Sequence, residues 1–182
     1  MSAMRADARR NREKILAAAA AVVAEQGHAA STEEVAARAG VAVGTVFRHF
    51  PTKKDLLAAL LKDLSTQLMT QATTLADDPG GLFEFFTAVV ERAAGQRTVV
   101  ELLSAAGMDV DAGRSLEPLR DAVAVLTTRG QAAGLVRSDV DVDEVLAMLT
   151  LATHSVLQQH WDDALRRRTT ALMLDGLRAA PV

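Results

Sequence analysis

Between Ser31 and Pro51 the chain has room for two helices of about two turns each, and this punctuation limits the fold more than any other feature of the sequence. Ser31 stands three residues before Glu34, the spacing of a capping box, and Gly40 closes the short apolar stretch Val35, Ala36 and Ala39. Residues 41–50 form the next helical segment, and Pro51 ends it. Thr52, with Asp55 at its third position, then caps a long helix carrying Leu56, Leu57, Leu60, Leu61, Leu64 and Leu68. A first helix over about 8–26 precedes all of these, with Ile15, Leu16, Ala19, Val22 and Val23 on one face and Gly27 after it.

The rest of the chain reads the same way. Residues 77–81, Asp-Asp-Pro-Gly-Gly, form a linker before a helix with Leu82, Phe83, Phe85, Phe86, Val89 and Val90. Helices are predicted near 97–106 and 116–132, separated by a loop over 107–114, with Gly130 and Gly134 marking the next break. Asp141 with Glu144 caps a helix to about Trp161, and a last helix covers about 163–179. Pro totals four and aromatics are 3%, so little interrupts helix. The expected fold is all-α, with a small helix-turn-helix domain over 1–51 and a helical body over 52–182.

The absence of cysteine excludes a disulfide framework, a Cys-ligated zinc site and a thiol nucleophile. The N-terminus lacks an apolar signal core, and the longest apolar run, 15–24, is too short to span a bilayer. A soluble cytoplasmic protein with no membrane partner is expected. Asp139, Asp141 and Asp143 resemble the start of a calcium loop, but Glu144 holds the required Gly position and Thr150 the bidentate Glu position, so helix capping explains the acids better. His154 and His160 are six residues apart, about 240° around one helix, which does not suit a shared metal. No nucleophile elbow, P-loop or dinucleotide fingerprint occurs. The reading is therefore of a non-enzyme without catalytic residues, metal or cofactor.

Net charge is −3, yet it is unevenly placed. Residues 1–55 hold nine Lys or Arg against six Asp or Glu, and the remainder eleven against seventeen. A basic head on an acidic body would bring the head to a phosphate backbone.

The two short helices around Gly40 have the helix-turn-helix arrangement, in which the second helix enters the DNA major groove. The stretch EEVAARAGVAVGTVFRHFPTKKDLL closely resembles the DNA-binding region of the TetR family of transcriptional regulators, in detail over about residues 10–60. The resemblance implies that Gly40 makes the turn, that Gly44 permits close approach to DNA, and that Thr45, His49 and Lys53 meet phosphates. Arg48 has the donors for a guanine edge or a phosphate, and Val43 suits a thymine methyl. Phe47 stands where the family usually has a phosphate-binding Tyr, and Ala42 where a Ser caps the recognition helix. Phe47 and Phe50 are expected in the core of so small a domain. Arg9, Arg10 and Arg12 are either a solvated face or a basic arm on phosphate.

The resemblance further implies a homodimer on a palindromic double-stranded operator, a four-helix interface from the last two helices of each subunit, and a small ligand that tilts the long helix and releases DNA. Leu165, Leu172, Met173 and Leu177 are the interface candidates, while Arg166, Arg167 and Arg168 read as a solvated or rim face. For a hydrophobic ligand, Phe83, Phe86, Leu103, Met108, Met148 and Leu151 are candidate walls. His154 is either a satisfied core histidine or the polar group that orients the ligand. A helical enzyme or carrier with a merely structural helix-turn-helix is one rival; an architectural DNA protein without a ligand is another.

Overall fold

A computed structural model describes residues 2–107, 117–159 and 161–180, and all the regular elements among them are helical. In chain order these are α1 (Ser2–Gln26), α2 (Thr32–Ala39), α3 (Val43–His49), α4 (Lys53–Leu75), α5 (Gly81–Gly95), α6 (Arg97–Ala105), α7 (Arg120–Ala132), α8 (Val142–Gln158) and α9 (Asp163–Leu177). Single 3-10 turns cover Gly27–Ala29 and Glu117–Leu119. Met108 and His160 lie outside the described residues.

The chain forms two compact units. One comprises residues 1–63 with 98–109, and the other residues 64–97 with 110–182. Helix α4 supplies residues to both.

In the first unit α1 packs on α2, and α2 on α3. Ile15, Ala19, Val22, Val35, Ala36, Val46 and Phe50 are buried with Leu56, Leu57 and Leu60 of α4 and Val99, Val100 and Leu103 of α6. The local signals act at the expected positions, although Ser31 and Glu34 form only half of a capping box, because the Glu34 carboxylate accepts from Gln26 Nε2 at 2.6 Å and from the Ser31 hydroxyl in place of the Ser31 backbone N–H. Ser31 Oγ accepts the Glu34 N–H at 3.2 Å, and Gly40 adopts φ +67°, a conformation that favours glycine, so that its N–H can close α2 on the carbonyls of Ala36 and Ala37. Thr52 and Asp55 cap α4 reciprocally: Asp55 N–H donates to Thr52 Oγ1 at 3.1 Å, and Thr52 N–H to Asp55 Oδ2 at 3.0 Å. Helix α1 begins six residues earlier than its periodicity predicts, so Arg9, Arg10 and Arg12 lie within it and not at its start.

The second unit is built around α5, which packs against α7, α8 and α9. Leu82, Phe85 and Phe86 are fully enclosed, as are Leu126 of α7 and Leu149 of α8, and Leu174 and Leu177 of α9 are buried in the same core. Asp141 and Glu144 form the complete capping box at the start of α8. Gly130 is required for closeness: a Cβ there would lie 2.5 Å from Val136 Cγ2 and 3.3 Å from the Pro79 carbonyl. The chain end is clasped to the segment before α8, because Arg137 N–H donates to Leu177 O and Ala179 N–H to Leu135 O, each at 3.0 Å. Arg178 then lays its guanidinium 4.4 Å from the centre of the Phe83 ring.

Candidate functional site

Two inward anchors orient α3. Val46 is fully buried and Phe50, one turn later, is 4% exposed, which fixes the inner side of this seven-residue helix. Thr45 and His49 flank that side and are half-buried, as is Val43. Gly44, Phe47 and Arg48 face solvent. The expected burial of Phe47 is therefore corrected. It lies about 100° around the helix from Val46 and is 45% exposed, because so short a helix has only two core-facing positions.

Val43 and Phe47, four residues apart, run beside Gly44 and Arg48, also four apart. The outer strip of α3 is thus apolar on one edge and cationic on the other. Nothing lies within 4 Å of a Cβ built on Gly44, so a side chain at that position would contend only with whatever docks on the helix. Ala42 gives no side-chain cap; its carbonyl alone accepts from Thr45 N–H at 2.8 Å.

The charges nearby divide into occupied and open. Arg38 chelates Glu25 through two hydrogen bonds of 2.6 Å, which holds the Glu25 carboxyl below its ordinary pKa. Arg9 pairs with Glu13 and Arg10 with Asp7, and Arg12 lies 5.4 Å from the Phe50 ring centre. Lys53 spends one of its three donors on the Ala30 carbonyl at 2.7 Å, which draws its ammonium to the start of α2. Arg48 is exposed and, among the described residues, unpaired.

The candidates for the ligand wall are not brought together. Phe83, Phe86 and Met148 share the core of the second unit, but Leu103 is fully buried in the first. Leu151 is 63% exposed and His154 is exposed, so neither lines a cavity within its own unit. The inner face of α8 is taken by Val145, Leu149, Ala152 and Val156, and Leu151 and His154 lie on the opposite face with Ala147 and Gln158. This also removes the reading of His154 as a core histidine. Met108 lies outside the described residues.

Of the interface candidates, Leu165 and Leu172 face solvent at 48% and 63%, and Met173 is half-buried against the core. Leu177 is corrected: at 2% exposure it belongs to the core of the second unit, and its carbonyl accepts the Arg137 N–H. Arg166 is corrected as well. It lies largely buried and bonds Glu91 of α5, while Arg167 and Arg168 are exposed. The sequence reading also missed a polar stripe on α4 around Gln71, whose only signal is Thr70, Thr74 and Gln71 recurring at helical spacing among leucines.

Comparison with known proteins agrees with this arrangement. Residues 15–60 match the family model for bacterial regulatory proteins of the tetR family, and residues 78–179 match that for the C-terminal domain of SbtR-like transcriptional regulators. A crystal structure of a TetR transcription regulatory protein from Mycobacterium vanbaalenii is 33% identical, with a TM-score of 0.77 over 97% of this chain and 99% of that one. An uncharacterised HTH-type transcriptional regulator of Mycobacterium tuberculosis is 28% identical over 150 residues, 80% of this chain and 79% of that protein. A second protein of that organism, described as an HTH-type transcriptional repressor, is 51% identical over 55 residues, 30% of this chain and 29% of its own length. With both domains matched in order and a helix-turn-helix that presents its second helix outward, the chain belongs to the TetR family of DNA-binding transcriptional regulators.

Proposed function

We propose that the chain is a homodimeric repressor, without enzymatic activity, that holds a palindromic operator through α3 and releases it when a small molecule binds the second unit. The observation that carries the DNA part is the outward strip of α3, where Arg48 has no competing carboxylate and Gly44 leaves room for a close approach. Arg48 supplies donors for a guanine edge or a phosphate, Val43 and Phe47 supply apolar contact for thymine methyls, and Thr45, His49 and Lys53 supply phosphate donors. The repressor sense draws on the M. tuberculosis protein described as a repressor.

Two heads reading half-sites about 34–36 Å apart need a fixed spacing, which a dimer provides. Exposed Leu151 on α8 and Leu165 and Leu172 on α9 support pairing of these helices with a second copy, because each leaves a large apolar side chain in water. On this reading Leu151 and His154 are contacts of the dimer and not of the ligand.

Selection of bound duplexes from a random pool, followed by titration of the selected site at several salt concentrations, tests the proposal. The expected result is a two-fold symmetric site, with the salt slope flattened by about one when Lys53 or Arg48 is replaced by Ala. An asymmetric site, or no enrichment, would remove the operator reading.

A further inference from the structure

A groove of about 430 Å³ lies between α4 and α5, wholly within the second unit; Thr70, Gln71, Thr74 and Leu75 of α4 and Glu84 and Arg92 of α5 line it, and apolar atoms make up more of its exposed surface than polar ones. Gln71 and Leu75 are four residues apart on α4, and Glu84 and Arg92 eight apart on α5, so each pair shares one face of its helix. The Thr70 and Thr74 hydroxyls donate to the carbonyls four residues before them, at 3.0 Å each, and present their lone pairs and methyls outward. Two atoms remain without a partner although both are buried: Gln71 Oε1, an acceptor, and Arg92 Nη1, a donor.

Glu91, the residue before Arg92, turns to α9 and bonds Arg166 twice, while Asp163 lies 3.0 Å from the same guanidinium. Among the described residues, Arg92 Nη1 has no such carboxylate. Buried polar groups are ordinarily satisfied, and those that are not call for a missing partner. A guanidinium nitrogen without a partner, on a residue that lines a concavity, matches a carboxylate, and an unpaired amide oxygen matches an O–H or N–H. The groove's volume suits a small molecule.

We propose that this groove binds a small organic acid that also carries a hydroxyl or amino group, with its carboxylate on Arg92 and its donor on Gln71 Oε1. Glu84 on the same wall disfavours a second negative charge and so selects monoanions or zwitterions. The proposal deepens the ligand-release reading above and rests on it only for the regulatory consequence, since binding itself is a property of the groove.

The test uses the full-length protein and defined probes: salicylate and 3-hydroxybutyrate, each beside its neutral amide, with benzoate and butyrate as the matching acids that lack the hydroxyl. Calorimetric titration should give saturable binding of at least one hydroxy acid, with its amide and its deoxy counterpart each at least tenfold weaker. Arg92→Met should abolish the preference for acid over amide, and Gln71→Leu the preference for the hydroxy acid over the deoxy acid. Without any ligand, Arg92→Met should leave Tm unchanged or raise it, because it removes an unpartnered buried donor. A fall in that Tm, no binding by either hydroxy acid, or preferences that survive both substitutions would overturn the proposal. Operator titration of the free protein separates the two readings, since intact DNA binding in the face of any of those results leaves the regulator reading standing.

Discussion

Glu91 and Arg166, seventy-five residues apart in the chain, meet through two hydrogen bonds of 3.0 and 2.8 Å that tie α5 to α9. The guanidinium is 13% exposed and the carboxylate 40%, so the pair is partly withdrawn from water. Removing the Glu91 carboxylate leaves this partly withdrawn cation with Asp163, whose side chain is 74% exposed, as its remaining partner. Glu91→Ala should lower stability by about 1–3 kcal/mol, and the Glu91→Ala, Arg166→Met double variant should recover part of that loss. Urea denaturation of the four proteins of this cycle measures the coupling, and a neutral Glu91→Ala would show the pair to be energetically idle.

Gly130 leaves no space for a methyl group against Val136 and the Pro79 carbonyl. Gly130→Ala should therefore cost about 1–3 kcal/mol despite the higher helix propensity of alanine. Thermal unfolding reads it, and a stabilised variant would contradict this close packing.

The two phenylalanines of the helix-turn-helix should behave oppositely. Phe50→Ala empties a core position and should cost about 3–5 kcal/mol of stability. Phe47→Ala should change stability by less than about 1 kcal/mol while weakening operator binding severalfold. Paired denaturation and DNA titration check this, and a large loss of stability in Phe47→Ala would place that ring in the core after all.

Leu172 and Leu177 offer a second contrast on a single helix. Leu172→Arg puts a charge on an exposed position and should yield a folded monomer by light scattering and circular dichroism. Leu177→Arg buries the charge in the subunit and should prevent folding. A normal dimer from Leu172→Arg would refute the pairing of α8 and α9 with a second copy.

These contrasts mark where the sequence stops being legible. Caps and turns are local: Ser31 with Glu34, Gly40, Thr52 with Asp55, and Asp141 with Glu144 each act within one helical turn, and each was readable from its spacing. Facing is not local. Leu149 and Leu151 are the same residue type two positions apart, yet one is fully buried and the other 63% exposed, and a helix that is apolar all round gives no sign of which side its own subunit covers. Arg166 looked like a surface charge because its partner lies on another helix far back in the chain. Gln71 and Arg92 were invisible for a different reason: an unsatisfied atom is defined by what surrounds it, and that is known only after packing.

The clasp that joins Leu135 to Ala179 and Arg137 to Leu177 closes the hairpin of α8 and α9 into a tethered loop. Both its ends are stapled to one another, and Leu151, Leu165 and Leu172 are displayed on the hairpin so closed. On the proposed pairing, association of two such hairpins would forfeit little backbone entropy, and the affinity between them would reflect the contacts themselves. Truncation after Gly176 would remove Leu177 and Ala179, loosen the loop at its base, and on that pairing weaken self-association without touching any of those three leucines.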